Sequence, residues 1–187
     1  MAALRAETRA AVMAAGDGHG APASATVVDE QGRTLSVRGL RLQQGEEIGD
    51  VIHDRRYGEL RAAYAHQGDV RFAFAAASPS VAFSSLSAGL TGGDFAHHAD
   101  FLAQAEAHRR IIIRRLNEDD IYNAGDRGGA YLADRALWEQ IPGFAYIAPP
   151  LPAVEGRYAR EAFALFGWLF VGFALALAST LIALRRR

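Results

Sequence analysis

The residues best able to do chemistry fall between positions 94 and 108: Asp94, His97, His98, Asp100, Glu106 and His108. Imidazole and carboxylate are the donors that hold zinc and related ions. On a helix, however, His97 and His98 point about 100° apart, and His97 and His108 lie about 16 Å apart along the axis. One ion cannot reach both. Asp94 and His98 stand one turn apart, but two ligands do not complete a site that needs three or four. The metal candidates are therefore Asp94, His97 and His98, and the preferred interpretation is that they are solvated or packing side chains. A membrane-bound metalloenzyme built on them ranks last among the functional alternatives.

Other catalytic patterns fail on residue type. GDGHGA at residues 16–21 fits G-x-G-x-x-A, but the dinucleotide fingerprint needs a strand before it and a helix after it. Here a helical stretch precedes and APAS follows, which makes it a linker. All 20 basic residues are arginine, so the P-loop lysine cannot be present. No G-x-S-x-G elbow occurs. The absence of cysteine excludes disulfides, thiol catalysis and cysteine metal sites. The expectation is a non-enzyme without a cofactor. Arg109, Arg110, Arg114 and Arg115 precede Glu118, Asp119 and Asp120; this predicts a helix with basic and acidic faces making local pairs, with an anion or headgroup site as the less favoured use.

The elements that must carry these residues are mostly helical. The expected organisation is an N-terminal helix and flexible linker over 1–25, a mainly helical domain over 26–141, a Pro-rich connector over 142–160, and a membrane helix with basic tail over 161–187. Within the domain, Thr26 to Val28 and Leu35 to Val37 flank a turn near Gln31-Gly32 and predict a hairpin. A helix is expected from Glu46 to Ala77, with Ile48, Val51, Ile52, Leu60, Ala63 and Tyr64 as its apolar stripe and Gly58 and Gly68 as candidate breaks. Ser78-Pro79 opens the next helix, which stops at Thr91-Gly92-Gly93. Asp94 caps a long helix starting at Phe95. A loop over Gly125–Gly129 and a short helix, AYLADRALWEQ, follow. The prolines at 142, 149, 150 and 152 then enforce an extended connector.

Ala162 to Leu184 is 23 residues without a charge, followed by Arg185, Arg186 and Arg187. As a helix this is about 34 Å long, enough to cross a hydrocarbon core of about 30 Å. Gly172, Ala176 and Thr180 recur every four residues, beside Ser179 and Ala183, and offer a small-residue face for helix–helix packing. Phe166, Phe170, Phe173, Leu177, Leu181 and Leu184 fall on the opposite, lipid-facing side. The arginine tail predicts a cytoplasmic C-terminus in a cell inner membrane, with the domain on the extracytoplasmic side. The net charge is −1, and −4 without the tail arginines, which excludes a strongly basic nucleic-acid surface. The excess of Ala, Gly and Arg suits a GC-rich bacterial genome. Residues 1–20 contain no apolar h-region of a signal peptide. Export of the domain therefore requires further membrane segments, as in a truncated or split gene product; the other option is the inverted topology of a tail-anchored protein.

From Leu40 onward the runs SPSVAF, LSAGLTGGDFAHHADFLAQAEAHRR and LWEQIPGFAYIAPP, with Trp168 in the final helix, resemble the C-terminal part of ABC-2-type permeases that carry a domain of unknown function. The resemblance rests on Ser78-Pro79, Ser87, Gly89, Asp94, Phe101, Ala105-Glu106, Arg109, Asn117, Pro142, Phe144, Tyr146, Pro149 and Trp168. This chain has Leu90-Thr91-Gly92-Gly93-Asp94 where the family tends to a compact Gly-Thr-Asp, and one membrane helix where the family has several. The resemblance implies a non-catalytic membrane subunit of an ABC transporter, partnered by a separate ATPase subunit and by other permease helices in the lipid bilayer. The alternative is a stand-alone, tail-anchored binding module.

Overall fold

The computed structural model describes Pro22 and residues 24–186. The expected N-terminal helix over 2–15, most of the linker after it and Arg187 lie outside the described residues. Two short strands, β1 (Thr26–Val28) and β2 (Thr34–Ser36), precede α1 (Val37–Ala77), α2 (Pro79–Leu90) and α3 (Phe95–Asn123). A 3-10 helix (Gly125–Ala130), α4 (Arg135–Gln140), α5 (Leu151–Arg157) and α6 (Ala159–Arg185) complete the order. Among the described residues the fold is mainly helical, with one antiparallel hairpin and one long apolar C-terminal helix. It divides into two compact units: residues up to Arg56 with Ala105–Ala145, and Tyr57–Gln104 with Tyr146 onward.

In the first unit the hairpin pairs Thr26 with Ser36, Val27 with Leu35 and Val28 with Thr34. Its turn is built by Asp29, whose Oδ1 accepts from the amides of Gln31 (2.9 Å) and Arg33 (2.8 Å). Gly32 adopts φ +77°, the left-handed region that glycine enters at least cost. Val37, expected to end the second strand, begins α1 instead. The cause is Ser36, whose Oγ accepts from the Gly39 amide at 3.2 Å and so caps a helix at once. Leu35, Leu40 and Ile121 form the core of this unit, with Val27 packed against it. Gly39 permits the crossing of α1 and α3: a Cβ there would lie 2.7 Å from the Ile121 backbone nitrogen.

Helix α1 departs from expectation in length and in burial. It starts nine residues before Glu46 and runs unbroken through Gly58 and Gly68. Each glycine costs about 1 kcal/mol in a helix, too little to break a helix extended cooperatively from both sides. Its expected stripe does not face a core. Ile48, Val51, Ile52 and Leu60 are between 46 and 70% exposed.

In the second unit Ser78-Pro79 separates α1 from α2 as expected. The Ser78 hydroxyl pairs with Ser80 Oγ rather than with the backbone of α2. Thr91 ends α2, and Gly92 at φ +74° makes the turn. Asp94 Oδ1 accepts from the His97 amide at 3.0 Å and caps α3. Two expectations further along are corrected. Residues 131–134 are not helical, because Asp134 accepts from the Leu137 amide and fixes the start of α4 at Arg135. The expected loop over Gly125–Gly129 is a 3-10 helix kinked at Gly128. The connector is extended only to Pro150. Pro152 then occupies the first turn of α5, where the missing N–H of proline has no cost.

Candidate functional site

Within the second unit, α2 packs against the first turns of α6. Gly89 of α2 lies so close to Tyr158 that a Cβ would sit 2.4 Å from the ring. Tyr158 itself is 4% exposed, and Val154, Ala82 and Ser85 are buried with it. Small residues on α2 (Ala82, Ser85, Gly89, spaced three and four apart) let the helix axes approach, as ridges and grooves require. The small residues of α2 serve this close packing.

Glu161, in the first turn of α6, is 5% exposed. Its Oε2 has no hydrogen-bond partner among the described residues. The positive end of the α6 dipole favours a carboxylate there, but burial without a full set of donors is unfavourable. It was missed by sequence reasoning. The available signal was an acid one residue ahead of a charge-free run.

Around this root, polar pairs tie α6 and the connector to the helices beside them. Arg157 Nη2 donates to Asp100 at 3.1 Å, and Arg160 donates to Asp69 Oδ1 at 3.3 and 3.4 Å. The Arg160 guanidinium lies 4.6 Å from the centre of the Phe72 ring. Trp168 Nε1 donates to the Ala76 carbonyl at 3.0 Å. That carbonyl lies in the last turn of α1, where helix geometry leaves acceptors without intrahelical donors. The Gln104 side chain clamps Ile147 from both sides, donating to its oxygen at 2.8 Å and accepting from its nitrogen at 2.9 Å.

Beyond Trp168 the character of α6 changes. Residues 169–185 are exposed throughout, and α6 is long and apolar enough to cross a membrane. No other described helix meets that test. Gly172, Ala176 and Thr180 lie on this bare part, and a Cβ at Gly172 would meet nothing within 4 Å. Ser179 Oγ and Thr180 Oγ1 both donate to the Ala176 carbonyl at 2.8 Å. These hydroxyls are satisfied inside the helix, which suits a lipid environment.

The metal candidates do not converge. Asp94 pairs with His97, whose Nδ1 is 2.7 Å from Oδ1. The one-turn Asp94–His98 pairing is not formed, and His98 is exposed. The reason is the cap: Asp94 already turns inward to hold the His97 amide, which brings the His97 ring to the same oxygen. Among the described residues no group of three His, Cys, Asp or Glu side chains comes together.

The arginine block acts in the first unit, and less locally than expected. Arg109 donates to Glu106 (2.7 Å) but also across to Glu46 (3.0 Å) and Asp50 (2.9 Å) of α1. Arg110 donates to Glu106 (2.8 Å) and to Asp54 (2.5 and 3.1 Å). The Arg109 hydrogen bonds, reinforced by Arg110, pull the Glu106 carboxyl down to about 2, against a smaller opposing effect of burial. The Arg110 hydrogen bonds likewise hold Asp54 below the usual carboxylate range. Nearer the end of α3, Asp120 takes Arg38 and the Ser36 hydroxyl. Tyr131 donates to Asp119 at 2.5 Å, and burial together with that bond raises its hydroxyl to about 12. The bonds of Arg109, Arg110 and Arg38 are structural ties that bind α1 to α3, and those of Ser36 and Tyr131 tie the hairpin and the segment after the 3-10 helix to the end of α3.

Comparison with known proteins adds one assignment. Among curated proteins and among solved structures nothing matches the chain. A family model described as Domain of unknown function (DUF3526) matches residues 3–147. The matched stretch includes α1 to α4 and the Gln104–Ile147 clamp, and ends before α5. The chain therefore belongs to the family defined by the domain of unknown function DUF3526.

Proposed function

We propose that this chain is a non-catalytic membrane subunit of an ABC-2-type transporter, which couples an extramembrane helical domain to helices in the bilayer. The observation that carries this reading is the rooted helix. The apolar α6 is held at its start by Tyr158 against Gly89 and by the Trp168 bond to the Ala76 carbonyl, while its remaining length is bare. Close-packed contacts transmit displacement, since packed cores switch between discrete arrangements rather than deform smoothly. A movement of α6 would thus pass directly to α2. The sequence resemblance over Ser78–Trp168 supports the transporter assignment. The exposed apolar residues of α1 support partners outside the membrane, because large exposed apolar patches mark interaction surfaces.

In this reading the domain faces the extracytoplasmic side of the inner membrane and the arginine tail faces the cytoplasm. An ATPase subunit and further permease helices supply the energy and the path that one helix lacks. The test is affinity purification of the full chain from its native membrane in mild detergent, followed by mass spectrometry. Co-purification of an ABC ATPase and a multi-helix membrane subunit is expected. Recovery of the folded chain alone would overturn the reading and favour a tail-anchored binding module.

A further inference from the structure

Beside the root of α6 lies an open groove of about 670 Å³, lined by Phe72, Arg160, Phe163, Gly167, Trp168 and Val171 among others. Its size falls in the range of roughly 300–1,000 Å³ typical of ligand clefts. Arg160 is the one charged residue of the lining, and it stands at one end; the rest is apolar. From Arg160 to Val171 the helix rises about 16 Å, close to the depth of one leaflet of a hydrocarbon core about 30 Å thick. Position 167 faces open space, since a Cβ there would meet nothing within 4 Å.

We infer that this groove is a binding site for one anionic phospholipid, its headgroup phosphate on Arg160 and an acyl chain laid along Phe163, Gly167 and Val171. Arg160 has donors to give. Both of its bonds to Asp69 go to a single oxygen, at 3.3 and 3.4 Å, and both side chains are more than half exposed. Its guanidinium lies 4.6 Å from the centre of the Phe72 ring, and long basic side chains at membrane interfaces lay their stems on apolar surface while keeping the charge in water. Trp168 forms one wall, anchored by its bond to the Ala76 carbonyl. Anionic lipid is favoured over zwitterionic lipid because one interfacial arginine contributes about 1 kcal/mol of attraction to it, roughly a fivefold preference. The inference rests on α6 entering a bilayer and not on the transporter assignment.

Trp168 makes the site readable. The chain has two tryptophans, so a Trp138→Phe background isolates the groove. The full chain is reconstituted in phosphatidylcholine vesicles containing equal, increasing fractions of brominated phosphatidylglycerol or brominated phosphatidylcholine. Half-maximal quenching by the anionic lipid is expected at about fivefold lower mole fraction. Arg160→Gln should bring the two lipids to parity, Arg160→Lys should retain the preference, and Asp69→Asn should increase it. Equal quenching by both lipids in the unmodified groove would overturn the inference and leave Trp168 in ordinary lipid contact. Absence of quenching by either would overturn it through the deeper assumption, that α6 lies in the bilayer. A preference that survives Arg160→Gln would place the anion elsewhere.

Discussion

Alanine at position 89 probes how tightly the root of α6 is packed. An ideal Cβ there would lie 2.4, 2.5 and 2.6 Å from Tyr158 Cε2, Cζ and Cδ2, where ordinary contact begins at 3.4 Å. The ring cannot swing aside freely, since Tyr158 is 4% exposed. Overpacking of this kind costs about 1–3 kcal/mol. Exchange of glycine for alanine within a helix offsets up to about 1 kcal/mol. The net expectation for Gly89→Ala is a loss of about 1–2 kcal/mol, which for a chain of this size lowers the midpoint of thermal unfolding by roughly 2–8 °C.

Gly58→Ala is the matched control, because a Cβ there meets nothing within 4 Å and only the backbone benefit remains. It should stabilise by about 0.5–1 kcal/mol. Far-UV circular dichroism in detergent micelles reads both. A cycle with Tyr158→Ala completes the argument: once the ring is gone, alanine at 89 should be neutral or stabilising. If Gly89→Ala and Gly58→Ala shift the midpoint equally and in the same direction, the seam is not tightly packed and the coupling proposed through it has no physical basis.

Three further outcomes are expected. The folded carboxyl of Glu106, at about 2 against an ordinary 4.5, is depressed, so its contribution is present above pH 4.5 and is lost as pH falls toward 2; Glu106→Gln should remove about 2 kcal/mol at neutral pH, after allowance for the half-exposed Arg109, and flatten the acid limb of stability against pH. The chain has no cysteine, so single cysteines at the exposed Glu30 and at Arg186 can be labelled cleanly; a membrane-impermeant maleimide applied to intact cells should reach position 30 and not 186, and the converse would invert the topology. Leucine at both Gly172 and Ala176 should reduce co-purification of partner helices without moving the unfolding midpoint, since neither residue packs within the described chain; unchanged recovery of partners would remove the small-residue face from the interface.

Local chemistry was legible in the sequence and distant pairing was not. The hairpin followed from β-forming residues around a turn near Gln31-Gly32, and the ends of α2 and α3 from Ser78-Pro79, Thr91-Gly92-Gly93 and Asp94. The span of α6 was set by its charge-free run. Each of these signals lies within a few residues of what it determines. The start of α1 was missed because Ser36 serves both a strand and a cap, which only the hydrogen bond to Gly39 distinguishes. The pairing of Arg109 with Glu46 and Asp50 was missed because the acids lie some sixty residues earlier, and a block of four arginines reads first as a local feature. Gly89 and Tyr158 carry no mutual signal at all: one is an ordinary helix residue, the other an ordinary interfacial aromatic, and their meaning comes from an approach so close that a Cβ on residue 89 would lie 2.4 Å from the ring.

The same contrast explains why α6 reads as two things at once. Its first turns behave like a helix of a folded domain: Tyr158 and Glu161 are buried and Trp168 is hydrogen-bonded to another helix. Its remainder is bare, long and apolar enough to cross a membrane, with its hydroxyls satisfied on their own backbone. A helix that served only as an anchor would need the second half alone. Burying the Glu161 carboxyl at the junction is unfavourable unless it gains something there, because a buried polar atom without a hydrogen-bond partner is costly. The arrangement is economical if the junction is where a donor from a partner helix completes Glu161. Glu161→Gln, which keeps the shape and removes the charge, separates the possibilities. An unpartnered carboxylate predicts a gain in stability of the isolated chain on substitution. A carboxylate completed by a partner predicts, in addition, weaker retention of that partner during purification. Stabilisation with unchanged retention would mean that the charge serves no assembly, and the root of α6 would then be a fold feature only.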